Sequence, residues 1–94
     1  MEVTIDIHLL IKQLYSMQIE DANTNLLKAY TLLPDKSAAC ELLEAAHKSF
    51  KRAQVILNRF RERFSDTDVF ILNNLSEKCG EIIKRLNNDI TLGG

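Results

Sequence analysis

The chain has 94 residues, 46% of them hydrophobic and 27% charged, with three glycines, one proline and a net charge of −1. That length suits one small domain, and the balance excludes disordered, collagen-like and linker-rich chains. No apolar run approaches the roughly 20 residues that cross a bilayer, and no basic segment precedes an apolar stretch near Glu2 and Asp6, so neither a membrane span nor a secretory signal is expected.

With Pro34 the only proline and Gly80 the first glycine, a dominant 3.6-residue period predicts four helices. The first covers about residues 6–19, with Ile7, Leu10, Leu14 and Met17 on one face, Ile11 beside them, and Asp6 or Thr4 as its cap. The polar stretch Glu20-Asp21-Ala22-Asn23-Thr24 interrupts that pattern. A second helix follows over about 22–33, with Leu26, Leu27, Tyr30 and Leu33 inward, and Pro34 stops it.

The third helix, about 36–62, carries the inward stripe Ala39, Leu42, Ala46, Phe50, Ala53, Leu57 and Phe60. Small and large residues alternate along it, which lets a neighbouring helix approach closely. Ser65-Asp66-Thr67-Asp68 resembles a capping box and opens the fourth helix, whose inward stripe is Val69, Leu72, Leu75, Cys79, Ile82 and Leu86. Gly80 sits inside that helix, either at a close helix contact or on the surface. Residues 87–94 read as a frayed tail. Four amphipathic helices with short joints predict an all-α, antiparallel up-down four-helix bundle as a single domain over residues 1–94.

The sequence holds no catalytic constellation. His8 and His47 have no partner at metal-ligand spacing, and Glu44 with His47 is a single Glu-x-x-His where a di-metal bundle needs two. Cys40 and Cys79 fall at apolar-periodic positions without a Cys-x-x-Cys and read as buried, reduced thiols of a cytosolic protein. No cofactor, metal or enzymatic activity is expected.

Charge is distributed unevenly. Residues 48–63 hold six cations (Lys48, Lys51, Arg52, Arg59, Arg61 and Arg63) against Glu62 alone, in a chain that is otherwise acidic. At 100° per residue, Lys48, Arg52, Arg59 and Arg63 share an arc of about 60°, opposite the core stripe and with Val55 in its middle. Such a strip is either a solvated helix face that complements the negative helix terminus, or a docking strip for an acidic partner or an anionic membrane surface. Nucleic acid is not an expected partner, because the net charge has the wrong sign and no helix-turn-helix signature is present.

Arg63-Phe64-Ser65-Asp66, then Ile71-Leu72, then Asn74-Leu75-Ser76-Glu77 resemble the last-helix segment of the enterocin A type of bacteriocin immunity proteins. Ile11-Lys12-Gln13-Leu14-Tyr15 is similar to that family's opening helix. Two departures stand beside the resemblance: no aromatic residue follows Phe70, and many family members are clearly basic where this chain is not. The resemblance implies a small, non-enzymatic, cytoplasmic four-helix protein of a Gram-positive bacterium, acting partly at the inner membrane face. Such a protein protects the producing cell from a pore-forming peptide by engaging a membrane receptor of the mannose phosphotransferase permease type once the bacteriocin has bound there. The expected contact surface is Lys48, Arg52, Arg59 and Arg63, joined by Lys84 and Arg85 of the last helix. A small helical secretion or flagellar export chaperone or adaptor is the alternative reading, since Ala-rich helix faces suit that role too.

Overall fold

The computed structural model describes residues 6–93. They form three α-helices: α1 (Ile7–Thr31), α2 (Lys36–Arg59) and α3 (Asp66–Gly93), with one 3-10 turn at Arg61–Arg63 between the last two. The fold is all-α, and the described residues supply three rods where the sequence pattern predicts four.

The difference lies in residues 20–24, which continue α1 and do not break it. That stretch is polar but holds neither Gly nor Pro, and Ala22 at its centre is fully buried. Packing against α2 therefore outweighs the modest helix preference of Asn23 and Thr24. Asp6 caps α1 by accepting from the Leu9 N–H at 3.2 Å. Thr4, the other candidate cap, lies outside the described residues, as does Gly94. Asp35, directly after Pro34, caps α2 in the same way by accepting from the Ala38 N–H.

The expected inward faces of α1 also change. Ile11, Ala22 and Ala29 are its buried residues, with Tyr15, Ile19 and Leu26 packed alongside. Leu10, Leu14 and Met17 face outward, and Leu27 and Tyr30 are 71% and 76% exposed. In α2 the stripe Ala39, Ala46, Phe50, Ala53 and Leu57 is buried as expected, with Leu42 and Phe60 half-buried against it. Ala22 and Ala29 on α1, and Ala39, Ala46 and Ala53 on α2, recur at seven-residue spacing. Small side chains at that period let two antiparallel rods pack closely.

α2 ends at Arg59, three residues earlier than predicted. The turn at Arg61–Arg63 then leads to the capping box, which forms as read from the sequence. The Asp68 N–H donates to Ser65 Oγ at 3.1 Å, and the Ser65 N–H donates to Asp68 Oδ2 at 3.2 Å. On α3, Leu72, Cys79 and Leu86 are buried, Val69 and Leu75 half-buried, and Ile82 is 43% exposed. The helix continues through residues 87–93, past the point where a frayed tail is expected.

α1 and α3 both pack on α2 and scarcely on each other. The radius of gyration is 16.2 Å, against about 12 Å for a compact chain of this length. The accessible surface is 6848 Å² for 10.7 kDa, whereas a compact monomer of that mass exposes about 5500 Å². The three rods thus make an elongated slab with α2 in the middle.

Candidate functional site

The cationic strip lies on the outer side of α2. Lys48, Arg52, Val55 and Arg59 step by 4, 3 and 4 and are all exposed, Val55 at 64%. This spacing keeps them on one stripe, turned away from Phe50 and Leu57. Arg52 leans toward α1: its Nε donates to Gln18 Oε1 at 3.1 Å, and a guanidinium N–H donates to Ser49 Oγ at 3.5 Å. Arg59 is the last residue of α2, where the helix dipole favours a cation.

Arg63 belongs to the 3-10 turn, not to α2. It is half-buried, with one guanidinium nitrogen 3.4 Å from His8 Nδ1, and its Nε is buried without a partner among the described residues. The other cations of residues 48–63 are differently engaged. Arg61 donates to the Phe64 carbonyl at 2.9 Å and pairs with Asp66. Lys51 lies in a surface groove of about 450 Å³ between α2 and α3.

Lys84 and Arg85 are exposed but do not join the strip. Antiparallel packing sets the second half of α3 beside the first half of α2: the Cys79 thiol donates to the Leu43 carbonyl at 3.4 Å, and the Cys40 thiol to Asn87 Oδ1 at 3.3 Å. Lys84 is consequently level with the start of α2, about 24 Å from Arg59 at 1.5 Å per residue. It lines the same groove as Lys51, in the company of His47, Glu77 and Glu81.

The surface holds two further features besides the strip. The first is the apolar row Ile7, Leu10, Leu14 and Met17 on α1, the shared face expected from the sequence, which lies on the surface and not in the core. These residues are exposed between 44% (Leu14) and 58% (Ile7 and Met17). The Arg52–Gln18 bond brings the cationic strip up to this row, because Gln18 stands one turn beyond Leu14 on the same side of α1. The second is an almost wholly apolar groove of about 220 Å³ where the far ends of α1 and α3 diverge, lined by Leu26, Ala29, Tyr30, Leu33, Leu43 and Ile82.

The titratable groups are those of a packed bundle. Burial raises the Cys79 thiol above its ordinary pKa, and burial with Glu44 and Glu41 nearby raises Cys40. Burial, then the Lys51 charge, lowers His47. Burial, then Asp68, raises Tyr15. Among the described residues no three His, Cys, Asp or Glu side chains come together as a metal site, and no helix is long and apolar enough to cross a membrane.

Compared with protein-family models, with curated proteins and with solved structures, the chain matches none of them. The geometry defines an all-α protein whose most distinctive surface is a cationic stripe bordered by exposed apolar side chains.

Proposed function

We propose that this protein is a non-enzymatic bacteriocin immunity protein of the enterocin A type. In this reading it acts in the cytoplasm of a Gram-positive producer, partly at the inner membrane face. It engages a mannose phosphotransferase-type permease that carries a pore-forming peptide, and so blocks the leak. The observation that carries the reading is the stripe Lys48, Arg52, Val55 and Arg59, which stands exposed on a scaffold held by residues of the family-like segment. Phe64 of that segment is buried at the joint between α2 and α3, and Ser65 and Asp68 cap α3. The up-down four-helix arrangement that goes with the resemblance would require α1 to divide near residues 20–24, and it belongs to the proposal.

A charged stripe of this kind gives modest, salt-sensitive attraction to cytosolic loops and headgroups. The test is protection of a sensitive strain expressing the protein, challenged with a panel of peptide bacteriocins. Arg52→Glu with Arg59→Glu should leave the helical fold intact and abolish protection. Full protection by the folded double variant would reject the assignment of the surface.

The apolar groove between Tyr30, Leu33 and Ile82 favours one second reading, a small helical chaperone or adaptor that holds a secretion or flagellar subunit. A soluble helical partner that co-purifies, together with unchanged bacteriocin sensitivity, would favour it.

A further inference from the structure

The exposed row on α1 and the cationic strip on α2 have opposite chemistries, yet they lie side by side. Ile7, Leu10, Leu14 and Met17 span about 15 Å of α1, and Lys48 to Arg59 span about 16 Å of α2. The two rods run antiparallel at a typical separation of 8–10 Å. The segments that carry the two rows, residues 7–19 and 45–60, contain no Asp or Glu, although the whole chain has 13 acidic residues against 12 basic ones. The acids collect elsewhere: at Glu20 and Asp21 in the middle of α1, at Asp35, Glu41 and Glu44 early in α2, and along α3. At the end of the slab that holds the two rows, the α1–α2 side is therefore apolar and positive; Asp6 and Glu62 border it, Asp21 lies one turn beyond Met17, and Asp66 and Asp68 on α3 are paired with Arg61 and Lys12.

From this juxtaposition we infer that the α1–α2 face is a peripheral docking surface for a bilayer rich in anionic phospholipid. The apolar row enters the boundary between headgroups and acyl chains, and Lys48, Arg52 and Arg59 lie along the phosphates. Charge and relief both favour a bilayer over a cleft-filling partner. The apolar side chains stand proud at 44–58% exposure, as a plane requires, and the cations beside them match phosphate. An interfacial helix with apolar residues on one side and Lys or Arg along the other binds membranes in this manner. Basic residues near the surface add an attraction that falls with salt. Here the two halves of that device come from two neighbouring rods instead of one. The inference deepens the proposed function by naming the lipid as one contact of the surface, and its test is separable from that function.

The chain contains no tryptophan, so a single introduced one reports its own surroundings. Met17→Trp and Leu14→Trp should each give a blue-shifted emission with vesicles of phosphatidylglycerol and phosphatidylcholine, and none with phosphatidylcholine alone. Phe70→Trp, at a position 70% exposed on α3, should not shift. Flotation of the unaltered chain with the anionic vesicles should weaken as salt rises. Arg52→Glu with Arg59→Glu should weaken it by more than about 30-fold, the loss expected from removing two cations alone, and Leu14→Ser by about tenfold. Equal binding to both vesicle types, binding with no shift at position 17, or a stable dimer in solution that buries Leu14 would overturn the inference. If the vesicles do not bind but the double arginine variant still loses protection, the lipid contact fails and the immunity reading stands. If they bind and no bacteriocin is resisted, the lipid contact stands alone.

Discussion

Replacing Phe64 by Ala should destabilise the protein more than any other single change near the joint between α2 and α3. Phe64 is 5% exposed and sits where all three helices meet. Its ring is 4.8 Å from that of Tyr15, tilted by 52°, and the Lys12 ammonium lies 4.2 Å from its centroid. Lys12 also reaches Asp68 at 4.0 Å, so α1 is tied to the start of α3 through this ring. Deleting a buried Phe side chain costs about 3–5 kcal/mol with the cavity included. The aromatic pair accounts for about 0.5–1.5 kcal/mol of that and the cation over the ring for about 0.5–1 kcal/mol. A loss of about 4 kcal/mol is the expected outcome, against a total stability of about 5–14 kcal/mol for a domain of this length. Urea unfolding followed by circular dichroism measures it, as a lower midpoint with an unchanged slope. Lys12→Ala should cost about 0.5–1 kcal/mol alone and nearly nothing in the Phe64→Ala background. A loss below about 1.5 kcal/mol for Phe64→Ala would refute the view that this ring fastens the joint.

Four further outcomes follow from the packing. A Cβ at Gly80 would stand 3.6 Å from His47 Nε2, an ordinary contact. Gly80→Ala should therefore raise stability by about 0.5–1 kcal/mol, seen as a higher thermal midpoint. Ser76 is 2% exposed with an Oγ that has no partner among the described residues, so Ser76→Ala should be neutral or stabilising by about 1 kcal/mol in the same assay. His47 is held below its ordinary pKa of 6.5, so the unfolded chain takes up its proton first. Stability should fall as pH drops below 6.5 and through the lower folded value, and urea midpoints for His47→Gln should fall less over that window. Both thiols are buried with raised pKa values, so native Cys40 and Cys79 should resist iodoacetamide and react fully in denaturant, as read by mass spectrometry.

α2 was readable because its pattern leaves one solution: small and large apolar residues alternate on a single face, and the opposite face is charged. The start of α3 was readable because a capping box is a local device, complete within Ser65 to Asp68. α1 was not. Leu9, Leu10, Leu14, Met17, Leu27 and Tyr30 put apolar side chains on most of its sides, so periodicity alone could not separate the stripe facing α2 from the stripe left open. The fate of residues 20–24 depended on Ala22 finding α2, a tertiary contact that no local rule encodes. The cationic strip was legible from spacing on one helix. Its trimming was not, because the pairing of Arg61 with Asp66, the turn that displaces Arg63, and the distance to Lys84 all depend on the path of the chain after α2.

Since the two outer rods lean on a common middle one and are tied to each other at Phe64 through Tyr15 and Lys12, they behave as the arms of a peg closed at one end. Leverage concentrates at the open end, where Leu33 and Ile82 flank the gap. Parting these arms would uncover Leu43 of the middle rod, now 5% exposed, so apolar burial on the spine is what keeps the open end shut.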